Sequence, residues 1–425
     1  MYAIRSKNIW GIIKRTLNKV DPRLVEHGER VAYITLKILE EAEGEISAGM
    51  LKNVLLVCLI HDIGAYKTEE IDCIVEFESR TVWEHSIYGS LFLKMFSPLS
   101  EYTEAVLYHH ADYCLLKEQG VEGRTLFFAD ILHLADRTDL LWQTKAQQTE
   151  KLEERKGREF SEFSVETLLC AEEKHQISQA LKNGSFRGEL EDVIEKMRFT
   201  EEEQRTYLEM LAYSIDFRSE FMVLHTITTV NASAAIANIM GISGDRSDRL
   251  YYGALLHDIG KVATPVEILE KPGALTPEEY KIMQEHVVDS GRILEEYVHP
   301  DIYKIAVRHH EKLDGSGYPL GLTGDQLSRE ERICAVADII SALIRKRSYK
   351  QVFSKEQTMQ ILGDMARRNQ ICPEVTEAVA MNYDFLMEEI DKNGERLMLI
   401  YQQMKDEYRK MLGMLKEQGF PKMLS

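Results

Sequence analysis

Apolar residues recur at three- and four-residue steps along nearly the whole chain. Stretches such as RVAYITLKILEEAE (Arg30 to Glu43), VETLLCAEEKHQISQAL (Val165 to Leu181) and EQRTYLEMLAYSI (Glu203 to Ile215) each place an apolar stripe along one side of a helix. Strict alternation of apolar and polar positions, the mark of a half-buried strand, is scarce. With only 9 Pro and no repeated hairpin turn signals, the pattern predicts an all-α protein. A charged helical stretch breaks at KNGSFRG, Lys182 to Gly188, and reads as a connector. The expected organisation is a helical domain over 1–145, a helical connector over 146–203, a second helical domain over 204–386 and an amphipathic helix over 387–425. The apolar stripe of that last helix is expected to pack inside the chain, with a homodimer through helical surfaces as the alternative.

At 425 residues the chain exceeds one ordinary core and predicts two or three folding units. Its 44% hydrophobic and 29% charged residues are those of a globular protein. The apolar run VLLVCLI, Val54 to Ile60, falls far short of the ~20 residues a membrane-spanning helix needs, so no integral membrane segment is expected. The N-terminal stretch MYAIRSKNIWGIIKRTLNKV mixes basic and apolar residues without a continuous apolar core, which predicts a helical, cytoplasmic start. Six widely separated cysteines with no CxxC pair indicate neither a disulfide framework nor a zinc ribbon, and fit a reducing compartment. A net charge of -18 argues against a protein that grips a nucleic-acid polymer, because such proteins gain affinity from Lys and Arg at phosphates. A small anionic substrate would need a locally positive site, and bound metal ions supply one.

The second half of the chain holds an ordered series of imidazoles and carboxylates. It reads His225, then His257 and Asp258, then His286, then His309 and His310, then Asp338, each in a segment with helical pattern. These are the side chains that hold first-row divalent metals, and the set is larger than one ion requires, so a dinuclear site is expected. Gly260, just after the His-Asp pair, is expected to end its helix behind the site.

With HDIGK at His257 to Lys261, KPGALTPEEY at Lys271 to Tyr280 and HHEKLDGSGYPLGLTG at His309 to Gly324, the region from about Arg205 to Leu386 resembles the HD-GYP family of the HD superfamily. The resemblance implies a phosphodiesterase that opens cyclic di-GMP to pGpG, and in some members to GMP, using two divalent ions, iron or manganese first. Cyclic GMP-AMP is the near alternative substrate, and a receptor that binds without hydrolysis is the alternative from another class. By motif, His225, His257, Asp258 and Asp338 would hold one metal, with Asp258 bridging to a second held by His286, His309 and His310. Two metals ~3.5–4 Å apart can share a hydroxide and clamp a phosphate between them. Lys261 is placed to add positive charge at a nonbridging oxygen, making it and Asp258 the expected catalytic pair. Asp314, Gly317 and Tyr318 of the loop, with Arg347 and Lys350, are the expected substrate contacts. Members with a third metal carry a glutamate four residues before the first histidine; here that position is Phe221, so two metals are expected. Ser341 stands where an aspartate is usual, three residues after the last ligand, and bears on the expected substrate geometry.

The first half repeats the order: His27, His61 and Asp62, His85, His109 and His110, Asp136. This internal repeat predicts a second HD fold and a further metal site. Its surroundings differ. Ala65 occupies the place of Lys261, and HHADYCLLKEQG replaces the glycine-rich GYP loop. Regulation or packing is therefore the first expectation for this domain, with hydrolysis of a different phosphate ester as the alternative.

Overall fold

The computed structural model describes residues 4, 8–42, 44, 46–65, 83–144, 149–219, 222–344 and 353–417. Among them every regular element is a helix, and extended backbone contributes only isolated bridges. Local sequence explains many helix starts. Asp21 accepts the Arg23 N–H ahead of Pro22–Glu41, with Pro22 preset for the first turn. Thr276 and Glu279 form a reciprocal capping box that opens Pro277–Leu294, again with proline at the first position. No helix among the described residues is long and apolar enough to cross a membrane.

The chain divides into two compact units. One comprises Asp21–Glu203 and Met404–Ser425. In it Pro22–Glu41 packs against Ala48–Ile60, Gly123–Thr144 and Glu162–His175, while Trp83–Phe96 packs against Thr103–Leu107. The other comprises Met1–Val20 and Gln204–Gln403. There His225–Ile239 packs against Arg329–Ile344 and Asp245–Leu256, and the short 3-10 helix Ile259–Ala263 lies on Pro277–Leu294.

These units differ from the expected domains at three places. Residues 149–203, expected within a helical connector, lie in the first unit. The Asp130 carboxylate on Gly123–Thr144 accepts from Ser161 N at 3.0 Å and Ser164 Oγ at 2.7 Å, which fixes the start of Glu162–His175, and Phe160, Leu168 and Phe186 are buried. The helix Asn8–Val20, expected within the first domain, belongs to the second unit; its Ile9, Ile12 and Ile13 are fully buried, each worth roughly 1.5–3 kcal/mol. The long helix Tyr383–Glu417 is shared. Tyr401 meets Phe217 in the second unit, with ring centroids 5.0 Å apart, whereas Met411, Met414 and Leu415 line a cavity with Leu91 and Leu107 in the first. The described cysteines are all free.

Candidate metal centre

In the second unit the ligand series converges from helix ends as much as from helix interiors. His225 opens His225–Ile239, His286 sits inside Pro277–Leu294 and Asp338 inside Arg329–Ile344. The pairs differ from the helical placement expected: His257 caps Asp245–Leu256, with Asp258 in the turn beyond, and His309 and His310 follow the end of Pro300–Val307. Gly260 is not the helix stop either. A Cβ on it would lie 2.0 Å from His286 O and 2.5 Å from Ser290 N, so glycine is required because the turn presses onto the backbone of the His286 helix. Ser290 fastens this contact, accepting from Gly260 N and donating to His257 O, both at 2.9 Å.

Asp258 lies at the middle. Its Oδ2 is 2.9 Å from His225 Nε2, 3.1 Å from His257 Nε2 and 2.5 Å from Lys261 Nζ. Its Oδ1 faces His286 Nε2 at 3.3 Å and His309 Nε2 at 3.8 Å. Asp338 Oδ1 is 3.2 Å from His225 Nε2, and its Oδ2 is 3.8 Å from His310 Nδ1. The two oxygens of Asp258 thus face two different histidine sets. Burial alone would raise its pKa, but His257, Lys261 and His225 hold the carboxyl well below the usual range, so Asp258 is ionised. Asp338 is likewise held low against burial by His225 and His257.

The imidazoles are oriented from behind. His257 and His309 each place Nδ1 2.7 Å from the carbonyl three residues earlier, Ala254 and Ala306, and His286 Nδ1 likewise contacts the Met283 carbonyl. A carbonyl only accepts, so Nδ1 carries a proton and Nε2 is the nitrogen turned inward, which is the orientation metal-binding histidines need. At His257 burial is outweighed by Asp258 and Asp338, which raise its pKa to about 10. Burial lowers the pKa of His286 to about 3 and of His310 to about 4, keeping both neutral. His225 has a different support: Ser341 Oγ lies 3.1 Å from its Nδ1 and donates to its backbone carbonyl. The Ser341 departure therefore places a hydroxyl behind the first histidine.

The GYP loop is tied to the centre through Tyr318. Its ring lies 4.7 Å from that of His310, and its N–H donates to His310 O at 3.2 Å. Gly317 is required where the loop crosses residues 311 and 312, since a Cβ would come within 2.4 Å of Lys312 N. The buried Glu311, not singled out from the sequence, accepts from Leu320 N and Leu322 N at 2.6 and 2.9 Å and so holds the loop's far side. Its position directly after the histidine pair was the only signal. Asp314 is exposed and spends its carboxylate on Ser316 in its own turn. Arg347, Lys350 and Phe221 lie outside the described residues.

The first unit builds the same figure. His61 and His109 rest Nδ1 on the carbonyls of Cys58 and Val106, at 2.8 and 2.5 Å. Asp62 Oδ1 is 3.5 Å from both His85 Nε2 and His109 Nε2, and Asp62 Oδ2 is 3.4 Å from His61 Nε2. His27 Nε2 meets Asp136 Oδ1 at 3.0 Å, while its Nδ1 is backed by Asp139 Oδ2 at 2.7 Å. Asp139, also missed from the sequence, stands three residues after Asp136 as Ser341 does after Asp338, and it is held by Arg30 and Gln143. Gly64 repeats the close approach of Gly260, with a Cβ position 2.0 Å from His85 O.

Both donor sets fit divalent ions. Asp62 with His85, His109 and His110 forms one cluster in the first unit and His27 with His61 and Asp62 another; in the second unit His286, His309 and His310 form one and His225, His257 and Asp258 another. Buried His61 Nε2, Asp62 Oδ1, His109 Nε2, Asp136 Oδ2 and Asp258 Oδ1 have no hydrogen-bond partner among the described residues. Buried polar atoms are rarely left so, and a cation satisfies a cluster of them at once.

Family models described as HD domain match residues 24–135 and 194–375. The chain is a tandem HD-domain protein. The GYP loop after the second histidine pair makes the second domain one of the HD-GYP type. The tandem chain is 28% identical over 389 residues to the 3′3′-cGAMP-specific phosphodiesterase 1 of Vibrio cholerae, covering 87% of this chain and 90% of that relative. The cyclic di-GMP phosphodiesterase of Thermotoga maritima is 37% identical over 185 residues, which are 42% of this chain and 50% of the relative. The fold of the tandem HD protein is similar to that of a crystallised cyclic GMP-AMP specific phosphodiesterase of V. cholerae, with a TM-score of 0.56 at 19% identity, covering 90% of this chain and 98% of the other.

Proposed function

We propose that this chain is a metal-dependent phosphodiesterase that hydrolyses a cyclic dinucleotide at the second centre. The observation that carries the reading is Asp258, whose two oxygens face two histidine sets while Lys261 Nζ stands beside it. Two divalent ions, iron or manganese first, would be held by His225, His257, Asp258 and Asp338 on one side and by Asp258, His286, His309 and His310 on the other. Bound there, they supply Lewis acidity and a nucleophile at neutral pH. The protein's own part is to keep five imidazoles turned inward, to hold Asp258 and Asp338 ionised, and to place the Lys261 ammonium where phosphoryl charge develops. Water adds across one P–O3′ bond, leaving a 5′-phosphate and a 3′-hydroxyl. The Tyr318 ring beside His310 offers a face to the substrate, and Arg347 and Lys350 are the proposed phosphate contacts.

Cyclic di-GMP, giving pGpG, is the first substrate; the 37% identity of the second half to a cyclic di-GMP phosphodiesterase supports it. Cyclic GMP-AMP is the second reading, favoured by the relative that matches across both HD domains. The first centre would hold metal without cyclic-dinucleotide chemistry, since Ala65 replaces the lysine and no GYP loop follows its histidines. A cytoplasmic setting accompanies this reading, in keeping with six widely separated cysteines and no CxxC pair.

The test is anaerobic purification, metal analysis and an assay on cyclic di-GMP, cyclic GMP-AMP and cyclic di-AMP. Asp258→Asn is expected to abolish turnover and release metal. Metal-loaded wild-type protein that binds these nucleotides but leaves them intact would be a receptor, and one that neither binds nor cleaves them would sink the proposal.

A further inference from the structure

The helix Asn8–Val20 precedes the first HD domain in sequence, yet its side chains engage the second unit. Asn8 Nδ2 donates to Tyr297 O at 2.7 Å. Arg15 donates to the carbonyls of Arg292 at 3.2 Å and Glu295 at 2.6 Å, closing the C-terminal end of the His286 helix, and its guanidinium lies 4.1 Å from the Tyr297 ring. Lys19 Nζ meets Asp289 Oδ1 at 2.5 Å, where Asp289 is only 8% exposed. The same helix packs on Ile259–Ala263, the turn that carries Lys261.

These contacts fall on the two segments whose separation sets the centre. Asp289 is one turn beyond His286 and adjacent to Ser290, the residue that fastens Gly260 and His257. At the matching place in the first domain stands Tyr88, so that domain has no such carboxylate. We infer that Asn8–Val20 is a brace for the second centre, with Arg15 and Lys19 as positioning residues that hold the His286 helix against the HDIGK turn. The inference rests on the second centre being the catalytic one. His286 Nε2 and Asp258 Oδ1 are 3.3 Å apart across the two segments, and a misplacement of about 1 Å in such a site can cost ~10²-fold in rate.

The test uses full-length Lys19→Met, which keeps the aliphatic stem, and Lys19→Arg as the conservative rescue. Amide hydrogen exchange over residues 257–261 and 286–290, metal retention against a graded series of chelators, and kcat and KM on cyclic di-GMP and cyclic GMP-AMP are measured. Lys19→Met is expected to speed exchange in those two segments about tenfold, to release metal to a weaker chelator and to lower kcat roughly tenfold with KM within about twofold. Lys19→Arg restores all three. Unchanged local exchange and metal retention, or changes spread evenly over the unit in step with a lower Tm, would make the helix mere packing and overturn the inference. Should Lys19→Met not fold, Arg15→Met, which removes the contacts to the Arg292 and Glu295 carbonyls and leaves the Asp289–Arg292 pair in place, is read by the same outcomes. Wild-type protein inactive on both nucleotides would refute the proposed function, while exchange and metal retention still decide whether the brace exists.

Discussion

Ser341 and Asp139 occupy the same place behind the first histidine of each centre, and they differ in charge. Ser341 gives His225 Nδ1 a neutral partner at 3.1 Å, while Asp139 gives His27 Nδ1 a carboxylate at 2.7 Å that Arg30 holds in place. Partners of this kind tune ligand orientation and basicity, and losing one costs ~10–100-fold in metal affinity. Ser341→Ala is therefore expected to weaken metal binding at the second centre by about that factor, and Ser341→Asp to strengthen it, both read by chelator competition. A second residue outside the ligand series, His133, is buried with its ring 5.0 Å from that of Phe160, and burial lowers its pKa to about 3. Because its folded pKa lies below the unfolded 6.5, its contribution is complete above pH 6.5 and fades as pH falls and the unfolded chain takes up the proton. At pH 5 the loss is about 2 kcal/mol, so the stability advantage of wild type over His133→Leu should shrink by that amount between pH 7 and 5 in denaturant titrations. At this scale the fourteen prospective ligands could be read from their order alone, whereas Ser341, Asp139 and Glu311 could not. A spacing of three residues fixes the side of a helix, and it does not say which imidazole or loop lies opposite.

The two HDIG turns work by contact between backbones. Gly64 and Gly260 let each turn settle onto the helix carrying the third histidine, His85 or His286, and in both the N–H of the residue after the glycine bonds to the aspartate carbonyl at 2.9 Å, from Ala65 to Asp62 and from Lys261 to Asp258. The segments are thus alike in backbone and differ in the side chain the turn presents: a lysine at one centre, a buried methyl at the other. Gly260→Ala should cost about 1–3 kcal/mol or more through overpacking and displace His286, seen as lost metal as well as a lower unfolding midpoint. Gly64→Ala should do the same to the first centre and leave turnover at the second intact. Helices and their caps were legible because periodicity and the Ser, Thr, Asp and Pro signals act locally. The reason for the glycine was not, because the carbonyl that excludes a Cβ comes from 26 residues away at Gly260.

At the scale of the whole chain the two HD domains were visible as a repeat of ligands, and the family matches over 24–135 and 194–375 agree with that division. The termini were not, since an amphipathic helix declares that it will pack and not on what. Metal should follow the repeat: Asp62→Asn and Asp258→Asn are each expected to empty one centre, measured as metal per chain, and only the second to stop hydrolysis. The placement of Asn8–Val20 also imposes an order on folding. This helix leaves the ribosome before the first HD domain, whereas Asp289, Arg292, Glu295 and Tyr297, which it grips, follow 270 to 289 residues later. At about 5–20 residues per second, roughly 15–55 s separate its emergence from theirs. For that interval the nascent chain carries an apolar helix with nowhere to dock, so the first HD domain must form beside an unsatisfied segment that only the second can claim.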